Sequence, residues 1–280
     1  MKSSGAILVE SGNGVARVIL NRSQRRNALD AGMIRDLYSA FHELGCDPSI
    51  QVVVLAGTGS AFCAGADLNW MRSNGAVSAS EARKDAEQLM EMFRAIDECP
   101  CPVIGRIHGP AFGGGVGLIA VCDIAVAVED VTFALTELRL GLMPAVIAPL
   151  LFGKTGASFS RRFCLTAEPF SAATAQRFDL IHEVVPGDKL DSRVDELVNL
   201  ILRLAPQATR NTKSLFRRLP GLSANEVVSV CIEANVQARL SPEAQEGLRA
   251  FLERRPPVWT DVPGQRAKET REGKPHDVLR

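Results

Sequence analysis

The sequence predicts an α/β core followed by a purely helical C-terminal section. Apolar runs of strand length alternate with helical patterns up to about residue 186. From Lys189 onward only helical periodicity remains, in four pieces broken at Pro206, Pro220 and Pro242. With 280 residues, 46% hydrophobic and 23% charged, the chain can bury a sizeable core. We divide it into a core over 1–200, a helical region over 201–260 and a flexible tail over 261–280. No internal repeat of fixed period is present.

Ala6 to Glu10 and Val15 to Leu20 are apolar runs around Ser11-Gly12-Asn13-Gly14, a hairpin signal. Asn21 to Asn27 is a loop made basic by Arg22, Arg25 and Arg26. Asp30 can cap a helix to about Leu44, with Met33, Leu37, Ala40, Phe41 and Leu44 on one face. Val52 to Leu55 is a buried strand of the parallel type. Ser73 to Ala79 is small and polar, hence a mobile surface loop. Ser78 with Glu81 then makes a capping box for a helix ending near Cys99. Val103 to Ile107 reads as a strand, Gly109-Pro110 as a turn, and Val116 to Cys122 as a buried helix. Strands come next at Ile124 to Val128 and Thr132 to Leu135, and helical patterns at Ile147–Phe152 and Ala157–Leu165. Ser171 caps a further helix, and Leu180 to Val185 is the last strand. The proline- and charge-rich end, Arg255 to Arg280, predicts partial disorder.

Thirty-two basic residues balance thirty-two acidic ones, so net charge gives no global argument for nucleic acid or an anionic membrane. Seven scattered cysteines, several in apolar runs, read as reduced, buried thiols of a cytoplasmic protein. Cys99 and Cys101 have neither redox nor zinc spacing, and the four histidines do not cluster, so no metal is expected. No apolar run reaches the roughly 18 residues of a membrane span.

The most unusual stretch is Gly113-Gly114-Gly115, opening the apolar helix after the Gly109-Pro110 turn. Three glycines let a ligand approach the backbone closely. They also leave the first N–H groups of the helix unpaired, at the positive end of its dipole. Such a place suits an oxygen that gains charge during reaction. Tight helix–strand packing would demand the same residues.

Four stretches in order carry a resemblance: Phe62-Cys63-Ala64-Gly65-Ala66-Asp67-Leu68; Ala111 to Gly115 with Cys122-Asp123-Ile124; Phe133 to Glu137 through Gly141-Leu142-Met143-Pro144; and Glu246 to Pro256. Together they resemble the crotonase, or enoyl-CoA hydratase/isomerase, superfamily over about residues 6–259. Within it, Ala66 to Met71 and Leu142 to Ile147 look most like bacterial methylglutaconyl-CoA hydratases of leucine breakdown. Hydratases of acyclic terpenoid breakdown look similar.

The resemblance implies a crotonase-like spiral of ββα repeats in two roughly perpendicular sheets. It also implies a helical C-terminal region that builds a homotrimer or a dimer of trimers. The shared chemistry stabilises a thioester enolate, with the backbone N–H groups of Ala66 and Gly114 as the oxyanion hole. Glu137 matches the glutamate that moves the substrate proton; the rival for it is a salt bridge with Arg139. The family's other glutamate falls on Gly117, so hydration with one acid/base, or double-bond isomerisation, are both open. Coenzyme A, as part of the substrate, is the only cofactor implied. Arg25, Arg26, Ala28 and Ala64 match its binding positions, and Arg254 reaches a neighbour's phosphates. Asp67, Leu68, Trp70 and Gly113 complete the expected site, with Met71, Leu142 and Val146 shaping the acyl pocket. Asn69 stands where some relatives carry lysine. His108 and Asp123 read as structural. Some animal relatives bind RNA, a role that the neutral charge disfavours.

Overall fold

The computed structural model describes residues 2–3, 5–73 and 78–260. β1 (Lys2–Ser3) pairs antiparallel with β2 (Ile7–Gly12), which forms a hairpin with β3 (Val15–Leu20). Asn13 and Gly14 are its two loop residues, both at positive φ, 51° and 81°. A turn of that hand matches the twist of the strands, and Asn-Gly adopts it at low cost. From β3 the sheet continues in parallel through β4 (Val52–Gly57), β5 (Val103–Ile107), β7 (Ile124–Val128) and β10 (Glu183–Val185). A second, three-stranded sheet orders β6 (Ala111–Phe112), β8 (Thr132–Ala134) and β9 (Phe170–Ser171). With the helical C-terminal region, this is the expected crotonase fold.

The helices start at the caps that the sequence predicts. The Met33 N–H donates to Asp30 Oδ1 (2.9 Å) at the head of α1 (Ala31–Cys46). After the short α2 (Leu68–Ser73), Ser78 and Glu81 form the capping box of α3 (Ala79–Asp97). α4 (Gly114–Ala120) begins two residues earlier than its apolar run. α5 (Ala148–Thr166) is broken at Gly156, which accounts for the two helical patterns in that stretch. Ser171 caps α6 (Ala172–Arg177), and α7 (Leu190–Leu202), α8 (Pro206–Arg218), α9 (Ala224–Leu240) and α10 (Pro242–Leu252) are the four proline-punctuated pieces.

Some expectations need correction. The last strand covers only Glu183–Val185, because Leu180 and Ile181 are core residues of a turn that opens at Asp179. The end is ordered to Thr260: Arg255 holds Glu246 through two hydrogen bonds (2.7 and 3.0 Å). The mobile loop falls mainly on residues 74–77 and the tail on 261–280, both outside the described residues. Of the seven cysteines, all free, Cys46 is exposed and Cys164 and Cys231 are half-buried.

Successive β4 residues serve two cores, as strand alternation requires. Val53 and Leu55 pack with α1, α3, α4 and α5; Val52 and Val54 pack with Ile104, Val126 and the apolar face of α7. Each fully buried aliphatic side chain there contributes about 1.5–3 kcal/mol.

α8 is different. None of its residues is buried as a whole, though the Lys213 side chain sinks to 7% exposure, and it docks through charge. Arg210 donates to the carbonyls of Asp47 (2.9 Å) and Ile50 (2.7 Å). Lys213 binds Cys101 O (3.1 Å) and Asp123 Oδ2 (2.6 Å), and Arg217 binds Asp97 and Glu98 (2.9 Å each). Spaced three and four apart, these cations share one helix face. They land at or just past the C-terminal ends of α1, α3 and α4, where unpaired carbonyls favour positive charge. No helix among the described residues is long and apolar enough to cross a membrane.

Candidate active site

The main parallel sheet delivers β5 into the Gly109-Pro110 turn, and β6 then leads into the glycines. Gly113 has φ +48°, ψ −117°, a region that L side chains avoid, and its N–H donates to Ala134 O (3.0 Å). This ties the head of α4 to β8. The Gly114 N–H donates to no acceptor among the described residues.

A second free amide comes from the neighbouring turn. The Leu29 N–H donates to Gly65 O (2.7 Å), and the Asp67 N–H donates to Leu29 O (2.8 Å). In such a parallel bridge the residue between, Ala66, turns its own N–H away from Leu29. The Ala66 N–H likewise meets no acceptor among the described residues. The two backbones are close: a Cβ on Gly114 would lie 3.9 Å from Gly65 Cα.

Glu137 opens a single 3-10 turn, Glu137–Leu140, directly after β8. A Cβ on Gly113 would stand 2.9 Å from its Oε1. Its Oε2 is buried and unpartnered among the described residues. Burial pushes the carboxyl pKa up, against the opposing hydrogen bond from its own backbone N–H. The alternative salt bridge is not formed: Arg139 donates instead to Ala167 O (2.7 Å). A carboxyl held this way can both accept and return a proton.

These groups face one cavity of about 350 Å³. Of the expected site residues, Ala64, Ala66, Gly113, Gly114 and Glu137 line it, as do Leu68 and Trp70. Met71, Leu142 and Val146 line it too.

The other expected residues lie elsewhere. Gly117 is buried beneath the cavity: a Cβ there would sit 2.6 Å from Ile147 Cγ2 and 2.9 Å from Phe93 Cζ. Packing alone thus demands glycine at 117 and leaves no room for a carboxylate. Asp67 is buried, does not line the cavity and caps α2, accepting from the Asn69 (3.0 Å) and Trp70 (3.3 Å) N–H groups. Both backbone polar groups of Ala28 are engaged, its N–H by Arg25 O (3.0 Å) and its carbonyl by Arg22 (2.7 Å). Arg25, Arg26 and Arg254 are exposed, off the cavity and without a carboxylate partner among the described residues. Off the cavity, His108 Nε2 lies 3.0 Å from Gly59 O, and the Val103 N–H donates to Asp123 Oδ2 (2.7 Å).

In the sequence Arg22 is only one cation of a basic loop. In the structure its guanidinium joins Ala28 O (2.7 Å), Asp30 (2.8 Å) and Asp67 (3.1 Å). Asn27, fully buried, donates through Nδ2 to Thr58 O, Ala61 O and Phe62 O (2.8–3.1 Å). The loop carrying Arg25 and Arg26 is thereby stitched to the segment that presents the Ala66 amide. Nothing local in the sequence announces this, because Asp67 is 45 residues away.

Two free amides beside an unpaired, buried carboxylate form the equipment of an acid–base enzyme working on a carbonyl compound. Known proteins agree. The family profile for enoyl-CoA hydratase/isomerase matches residues 10–263. A solved enoyl-CoA hydratase from Shewanella pealeana is 36% identical, covering 91% of this chain and 96% of that one, with a TM-score of 0.87. Pseudomonas aeruginosa AtuE is 32% identical over 91% of this chain and 100% of its own, with a TM-score of 0.88. Enoyl-CoA hydratase ACTT6 of Alternaria alternata is 35% identical over 85% of this chain and 78% of its own. The chain belongs to the enoyl-CoA hydratase/isomerase family.

Proposed function

We propose that the protein adds water reversibly to a 2-enoyl-CoA thioester, with Glu137 as its single acid–base residue. The observation that carries this is the Glu137 carboxylate, buried and unpaired, set against Gly113 in a cavity that also exposes two free amides. The thioester oxygen sits between the Ala66 and Gly114 N–H groups, which stabilise it as it becomes an enolate; one such donor is worth about 3 kcal/mol of barrier. Glu137 takes a proton from water as the oxygen bonds to Cβ, then returns that proton to Cα. Its raised pKa suits both halves of the exchange.

A second reading, double-bond isomerisation, is favoured by Phe93 and Ile147, which fill the space beside Gly117 that a second carboxylate would need. Glu137 would then carry a proton between the α and γ carbons. Arg25 and Arg26, exposed and unpaired, meet the coenzyme A phosphates, and Arg254 meets those of a neighbouring subunit's ligand. Exposed Phe216, Ile232, Leu240 and Phe251 on α8–α10 support a trimer or dimer of trimers. The free thiols suit a cytoplasmic setting. The finer expectation, a methylglutaconyl substrate, rests on sequence resemblance alone, and its terminal carboxylate sets it against the apolar cavity walls.

The test is incubation with 2-enoyl-CoA and 3-enoyl-CoA thioesters, followed by enone absorbance and product mass. Hydration removes the conjugated absorbance and adds one water in mass. Isomerisation of the 3-enoyl compound raises the absorbance at constant mass. No change with any thioester would sink both readings.

A further inference from the structure

The cavity walls say more about the acyl group than the catalytic groups do. Among the described lining residues Thr136, Glu137 and the indole N–H of Trp70 are polar, and Leu89, Leu142, Val146 and Ile147 form much of the rest. Among the described residues no lysine, arginine or histidine lines it. Arg22 is engaged by Asp30 and Asp67 and Arg139 by Ala167 O, while Arg72, which follows Met71 at the end of α2, is exposed and does not line the cavity. A second carboxylate on a short acyl group would enter an apolar space with no counter-charge, beside the ionised form of Glu137. Burying a charge unpaired is strongly unfavourable, and a like charge nearby adds to the penalty.

The apolar lining also continues outward. Leu68, Leu140 and Met143 line the cavity yet are 53%, 52% and 78% exposed. A hydrocarbon chain longer than the cavity would therefore continue over apolar surface. Each methylene so covered favours binding by up to about fourfold.

We propose that this site selects an uncharged hydrocarbon acyl group reaching from Glu137 to the Leu68–Met143 mouth, and rejects short acyl groups that end in a carboxylate. This rests on reading the cavity as an acyl-CoA site.

Calorimetry on the full chain tests it without requiring turnover, using free coenzyme A, pentanoyl-CoA, decanoyl-CoA and glutaryl-CoA. Pentanoyl- and glutaryl-CoA match in carbon count and differ in the terminal carboxylate. We expect decanoyl-CoA to bind at least tenfold tighter than pentanoyl-CoA, and glutaryl-CoA at least tenfold weaker. Leu142→Arg, at an exposed position of the wall, should close the glutaryl–pentanoyl gap by tenfold or more. Glutaryl-CoA binding as tightly as pentanoyl-CoA to the unmodified protein overturns the proposal, as does decanoyl-CoA binding no better than pentanoyl-CoA. In either case coenzyme A still binds and the family reading survives. Failure of every thioester and of coenzyme A to bind removes both.

Discussion

Glu137 Oε1 rests against Gly113 so closely that a Cβ on that glycine would lie 2.9 Å from it. The glycine serves two ends at once: its left-handed φ turns the chain into α4, and its bare Cα admits the carboxylate. Gly113→Ala should displace Glu137 and lower kcat at least about tenfold, since a small misplacement of an acid–base group is costly. Gly114→Val should nearly abolish turnover by blocking the amide. It should still fold, because the nearest atom to its Cβ, Leu29 Cδ1 at 3.0 Å, ends a flexible side chain. Steady-state kinetics beside circular dichroism checks both.

Glu137→Gln should keep thioester affinity and lose about 10²–10⁴ in rate, the usual range for a lost general acid–base. It also has a stability signature. Burial raises the folded-state pKa of Glu137 above its unfolded value near 4.3. The wild-type contribution is fully present below that unfolded pKa and disappears as pH rises through the raised one. Gln does not titrate, so the Tm of the variant relative to wild type should climb across that window and flatten above it. A constant Tm difference across the window would contradict the raised pKa.

Gly117→Glu should not create a second catalytic acid. The new side chain would drive into Ile147 and Phe93 and cost about 1–3 kcal/mol or more by overpacking. Adding Phe93→Ala should recover part of that loss, a non-additivity that a denaturant double-mutant cycle reads directly. Hydration of crotonyl-CoA should rise, if at all, only in the double variant.

Arg22→Met should leave Asp30 and Asp67 facing each other without their shared cation. We expect a stability loss of about 1.5–3 kcal/mol for the charged hydrogen bonds removed. We also expect a fall in kcat of about tenfold, as the Ala66 segment loses its brace. Arg22→Lys, which keeps the charge but not the fork, should recover only part of the rate. Equal kcat in all three proteins would reduce Arg22 to a surface residue.

The features legible in the sequence are those written in a few adjacent residues. Asn13-Gly14, the caps at Asp30, Ser78 and Ser171, and the proline breaks at 206 and 242 each announce their element locally. Glu137 and the glycines are legible through motif order. The two-residue strands β1, β6 and β9 carry too little pattern to be read, and they form only because partners arrive from elsewhere. Arg22 and Phe93 escape a sequence reading for the same reason: their roles lie in contacts with Asp67 and Gly117, far away along the chain. Gly117 looks like a missing catalytic group, yet its reason is spatial, the approach of Phe93.

The charge-docked α8 gives the molecule a seam. The last core layer closes with α7 at Leu202, so a chain emerging from synthesis can finish its interior before α8–α10 exist. The first of those later helices, α8, is then attached by cations gripping the ends of finished ones. Such a seam opens without exposing the interior, and its strength tracks ionic strength rather than temperature alone. Raising salt should therefore speed amide exchange in α8 while leaving β4 and β5 protected, which separates the lifetime of the outer helices from that of the catalytic body.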